Sequence, residues 1–121
     1  MPTSDLLDFA RSLRSVWTLE LLLFLKANAG RSLTSDELVR DMRASAFVVQ
    51  GGLQALEGMG LVKADEHGGY RYAPALPLLD EYVHRLEALY RDRPTTAIRA
   101  IFSTPSDMLQ QFADAFRLKK D

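Results

Sequence analysis

Apolar residues recur at helical spacing along most of this chain, and the breaks in that pattern fall at residues that start or stop helices. Ser4 or Thr3 can cap a short helix carrying Leu6, Leu7, Phe9, Ala10 and Leu13. A second run starts near Ser15 and reaches Ala29, where Gly30 stops it. Its Val16, Leu19, Leu22, Leu23 and Lys26 keep helical spacing, and Trp17, Leu21, Phe24 and Leu25 make it apolar nearly all round. Such a helix belongs at the centre of a core.

Arg31 to Thr34 reads as a short extended connector, and Thr34-Ser35-Asp36-Glu37 as a capping box in which hydroxyl and carboxylate each satisfy an orphan backbone N–H. About two helical turns should follow, with Leu38, Val39 and Met42 inward and Asp36, Arg40, Asp41 and Arg43 outward. Ala44-Ser45 makes a turn, Ser45 caps the next helix, and that helix runs from Ala46 to about Met59. Gly60 ends it. Two β-prone runs, 61–64 and 70–73, flank the tip 65–69, where Gly68 and Gly69 can supply positive φ and Tyr70 and Tyr72 share a strand face.

After the turn-rich joint 73–77 comes a strongly amphipathic helix to about Asp92, with Leu78, Leu79, Tyr82, Val83, Leu86, Leu89 and Tyr90 as its stripe. Arg93-Pro94 closes it. A short helix capped by Thr95 or Thr96 carries Ile98, Ile101 and Phe102, and a last one opens at Pro105 with Met108, Leu109, Phe112 and Phe116 on one side. The expected fold is therefore mainly α with a small β-hairpin wing: a winged helix-turn-helix over residues 16–73, an N-terminal helix over 1–15 that packs or serves as a dimer arm, and a helical, dimerising region over 74–121.

Composition narrows the chemistry. The chain has 121 residues, 15 Lys and Arg against 16 Asp and Glu, and no cysteine, which suits one ordinary globular domain and removes thiolate chemistry, disulfides and cysteine zinc sites. Acids and bases nearly balance in residues 1–30, 31–73 and 74–121 alike, so any attraction for nucleic acid must come from local placement. The basic cluster Arg117, Lys119 and Lys120 suits a helix C-terminus by dipole alone. The longest apolar run, Leu21 to Leu25, is too short to span a membrane, and Met1 to Asp5 lacks a signal-peptide pattern, so a cytoplasmic protein is expected. His67 and His84 have no second ligand at metal spacing, and no nucleophile, base and acid assemble into a known motif; no metal, cofactor or catalysis is expected.

Residues 16–73 resemble the winged helix-turn-helix domain of bacterial transcriptional regulators of the MarR type. The resemblance covers about half the chain, and its most specific element is Leu53-Gln54-Ala55-Leu56-Glu57-Gly58-Met59-Gly60-Leu61-Val62, similar to the family's Leu-x-x-Leu-Glu-x-x-Gly-Leu-Val. Leu53 and Leu56 would pin the helix, Gly60 would take the turn and Leu61-Val62 would begin the sheet. The resemblance implies that the capped helix after Thr34 braces a DNA backbone, the next helix enters the major groove and the hairpin tip meets adjacent DNA. With Val49, Leu53 and Leu56 inward, the implied contacts are Ser45, Ala46, Phe47, Gln50, Gly51 and Gln54, flanked by Arg40 and Arg43, with Lys63, His67 and Arg71 on the wing. The sequence departs from a strong DNA binder in one respect: the helix from Ala46 has no Lys or Arg, and Gly51 stands where the family often has Arg.

The function implied is a DNA-binding transcriptional regulator whose partner is double-stranded DNA, acting as a homodimer through the stripe from Leu78 to Tyr90. The alternative is a winged-helix adaptor that docks a protein partner through Phe47, Gln50, Gly51 and Gln54. For the stripe, the alternative is that the C-terminal helices fold back on the helix of Leu6 to Leu13 and bury it within one chain. Trp17, Phe24, Tyr82 and Tyr90 are either plain core or the lining of a ligand cavity.

Overall fold

Hydroxyl caps fix three of the helix starts in the computed structural model, which describes residues 4–102. Ser15 accepts the Thr18 N–H at 3.0 Å and opens α2 (Val16–Ala27), behind α1 (Ser4–Leu13). Thr34 accepts the Glu37 N–H at 3.2 Å while the Glu37 carboxylate takes the Thr34 N–H, the expected capping box, and α3 (Ser35–Met42) follows. Ser45 accepts the Val48 N–H at 3.1 Å and starts α4 (Ala46–Gly58). The chain continues through the hairpin β2 (Val62–Ala64) and β3 (Gly69–Tyr72) into α5 (Pro77–Asp92) and α6 (Pro94–Phe102). The molecule is thus mainly helical with a small antiparallel sheet.

The sheet has a third strand that the sequence pattern did not separate from loop. Leu33–Thr34, β1, pairs antiparallel with β3 in the register Leu33 to Tyr70 and Thr34 to Gly69, giving the order β1-β3-β2. Two residues are too few to show alternation, so only the partner strand reveals it. Leu33, Val62, Tyr70 and Tyr72 turn one sheet face to the core, and the alternation of the pleat puts Lys63 and Arg71 on the other. Gly68 takes positive φ as expected but Gly69 does not. Gly69 is closely packed instead: a Cβ there would meet Ser32 Oγ and Asp65 Oδ2, and those side chains would have to shift.

The end of α4 accounts for the Leu-Glu-x-x-Gly-Leu motif. Gly60, at φ 76°, donates its N–H to the Glu57 carbonyl, Leu61 donates to the Leu56 carbonyl, both at 3.0 Å, and the Leu56 and Leu61 side chains are fully buried. This is a Schellman cap, with glycine in the left-handed position and an apolar contact closing the turn. On α2, Leu19, Leu22 and Leu25 are fully buried, and α2 packs against α4 where Gly52 has no side chain to hold the helices apart. The Lys26 ammonium donates to Glu87 at 2.6 Å and the Tyr90 hydroxyl donates to Glu20, tying α2 to α5 at two levels.

The dimer face expected on α5 requires correction. Val83 and Leu86 are fully buried within the single chain, because α1 and α6 pack over that side of α5 and the Phe9 ring meets Tyr82 at a centroid distance of 5.5 Å. Leu79, Tyr82, Leu89 and Tyr90 are partly buried against the same core, leaving Leu78 exposed. The helix after α5 starts at Pro94 rather than at a threonine cap, since proline needs no N–H in the first turn. The helix expected from Pro105 and the cluster Arg117, Lys119 and Lys120 lie outside the described residues, as does Thr3.

Candidate nucleic-acid interface

The turn between α3 and α4 is three residues long and strained at one of them. Arg43 holds φ 54° and ψ 39°, a left-handed conformation that costs a non-glycine residue about 1–2 kcal/mol, while Ala44 donates its N–H to the Val39 carbonyl. The Arg43 side chain is exposed to solvent. Arg40, one turn earlier, is exposed and lies 3.4 Å from the neighbouring Asp41 carboxylate, an exposed pair worth little.

On α4, Val49, Gly52, Leu53 and Leu56 are buried. Ala46, Phe47, Gln50, Gly51, Gln54 and Glu57 are exposed, and at helical spacing they share one sector about 140° wide. Phe47 is 87% exposed, the largest exposure among the large apolar side chains described. The sector is polar and apolar with a single acid, Glu57, and no base. The two glycines differ: Gly52 is buried against α2, whereas a Cβ on Gly51 would meet nothing within 4 Å.

In the hairpin, Lys63 and Arg71 are direct cross-strand partners, both exposed, and neither has an ion-pair partner among the described residues. Like charges placed opposite each other on a sheet repel, so the arrangement does not serve the hairpin itself. They line a shallow groove of about 450 Å³ with Gly30, Ser32, Ala64, Asp65 and Glu66. Asp65, read from the sequence as a plain polar turn, organises the tip. Its Oδ1 accepts the N–H groups of His67 and Gly69, each at 2.8 Å, and its other oxygen accepts the Ser32 hydroxyl. These bonds, that of Ser32 first, hold its carboxyl below the usual carboxylate range. His67 stands exposed at the tip. Tyr72 fastens the hairpin to α5 by donating to Asp80 at 2.6 Å, and burial followed by that bond pushes its phenol pKa up.

All eleven residues implied as DNA contacts, namely Arg40, Arg43, Ser45, Ala46, Phe47, Gln50, Gly51, Gln54, Lys63, His67 and Arg71, are therefore solvent-exposed. The sequence reading missed Ser32, whose part depends on the register of β1 against β3. Among the described residues no group of three His, Asp or Glu side chains is placed to hold a metal, and no helix is long and apolar enough to cross a membrane. No family model, curated protein or solved structure matches the chain.

Proposed function

We propose that this chain is a winged helix-turn-helix transcriptional regulator of MarR-like type that binds double-stranded DNA, with α3 bracing the backbone, α4 in the major groove and the β2–β3 hairpin on adjacent DNA. The observation that supports it is the joint exposure of the α4 sector and of the cross-strand pair Lys63 and Arg71, neither of which has an ion-pair partner among the described residues. Gln50 and Gln54 offer the amide geometry that reads adenine, Phe47 offers an apolar contact to a thymine methyl, and Gly51 allows close backbone approach. Phosphate attraction falls to Arg40, Arg43, Lys63 and Arg71, because α4 supplies none. The proposed location is the cytoplasm and the proposed assembly a homodimer. Leu76 and Leu78, exposed at the start of α5, are the apolar surface this helix leaves for a second copy.

Sequencing of DNA co-isolated with the tagged chain tests the reading. Recovery of a shared motif, lost in the Gln50→Ala/Gln54→Ala double variant, supports it, and random fragments count against it. One observation favours a second reading: a phenylalanine as exposed as Phe47 on a helix without bases is what a protein-docking surface presents. In that case the same isolation yields a stoichiometric protein, lost on Phe47→Asp, and no specific DNA.

A further inference from the structure

The outward face of α2 carries a second concave site, separate from the surface just described. Val16, Trp17, Glu20, Leu23 and Phe24 recur at helical spacing and, with Met42 of α3, line a cavity of about 700 Å³. That volume lies within the range of small-molecule sites, and the open cleft is lined mostly by apolar and aromatic side chains. Trp17 is half-exposed here, on the side of α2 opposite its buried Leu19, Leu22 and Leu25.

Among the described residues of the lining, the one charged group is Glu20. Its carboxylate accepts the Tyr90 hydroxyl, and that bond is the main reason the Tyr90 phenol pKa is raised, which keeps the phenol a donor. Glu20 has no ion-pair partner among the described residues: the nearest ammonium on its helix, Lys26, is engaged by Glu87. An anion entering this cavity meets a carboxylate. A neutral apolar guest strips water from that carboxylate without replacing it. A cation with apolar bulk satisfies both the charge and the aromatic walls, since the face of an indole is the best natural partner for an organic cation.

We propose that the α2–α3 cavity is a binding site for an organic cation with apolar substituents, such as a quaternary ammonium or phosphonium, held by Glu20 as counter-ion and by Trp17 and Phe24 as walls. The site does not depend on the DNA-binding reading.

Trp17 is the only tryptophan in the chain, so its emission reports occupancy directly. Tetraphenylphosphonium and tetraphenylborate share one shape and carry opposite charge, which makes them the probes. The full chain should respond saturably to the phosphonium and at least about tenfold more weakly to the borate. Glu20→Gln should weaken phosphonium binding about tenfold, while Tyr90→Phe, which leaves the carboxylate in place, should keep it within about twofold. The proposal is overturned if the phosphonium gives no saturable response, if both ions bind alike, or if Glu20→Gln binds as tightly as the unaltered chain. It is also overturned if Trp17 emission changes with protein concentration and the phosphonium does not bind, because a second copy then fills the cavity. Where circular dichroism shows that Glu20→Gln does not fold, the comparison of the two ions on the unaltered chain decides alone.

Discussion

Gly52 of α4 sits directly against Leu21 of α2: a Cβ added to the glycine would lie 2.8 Å from the leucine Cδ2. Leu21 is itself buried, so it cannot swing aside without disturbing the core. The approach sets the position of α4, and with it the side chains this helix shows to solvent. Gly51, the next residue, touches nothing. Gly51→Ala should therefore raise unfolding stability by about 1 kcal/mol through helix propensity alone. Gly52→Ala should lower it by about 1 kcal/mol, the cost of overpacking exceeding the propensity gain. Urea melts of the two variants separate these effects; equal stabilisation by both would contradict the close approach.

Arg43 provides a variant in which stability and binding move in opposite directions. Its left-handed backbone suits glycine, so Arg43→Gly should stabilise the fold by about 1 kcal/mol. The same change removes a cation flanking α4 and should weaken DNA binding, reducing the slope of log affinity against log salt by about one. A melt and a binding titration on the same sample check both halves.

Acid should loosen the hairpin through Asp65. Because its folded pKa lies below the ordinary value of 3.8, its contribution to stability is fully present above that value and is lost as pH falls through the lower, folded one. Asp65→Asn should therefore have a lower melting temperature than the unaltered chain near neutral pH, and the gap should narrow as pH drops below 3.8. Melting curves across that window test it; a gap independent of pH would show that the charge on Asp65 contributes nothing.

Local signals made much of this legible. The Thr34–Glu37 box, the Ser45 cap and the split of α4 into buried Val49, Leu53 and Leu56 and exposed Phe47, Gln50 and Gln54 depend on neighbours within a turn or two, and the structure reproduces them. What stayed hidden depends on distant partners. β1 exists only because Leu33 meets Tyr70, Gly69 is crowded only because Ser32 and Asp65 lie against it, and between the two readings of the α5 stripe only the packing of α1 and α6 over Val83 and Leu86 selects burial within one chain. The strain at Arg43 was hidden for another reason: arginine carries no signal for a left-handed turn. The cross-strand placement of Lys63 and Arg71 likewise became visible only with the hairpin register.

The most direct measurement is the salt dependence of DNA affinity, by fluorescence anisotropy on a duplex recovered with the protein, for the unaltered chain and for Lys63→Ala/Arg71→Ala. The account predicts binding that weakens steeply with salt, with a log–log slope reduced by about two in the double variant and an unchanged fold. Absence of duplex binding at moderate salt, or a slope that the double variant leaves untouched, would contradict it.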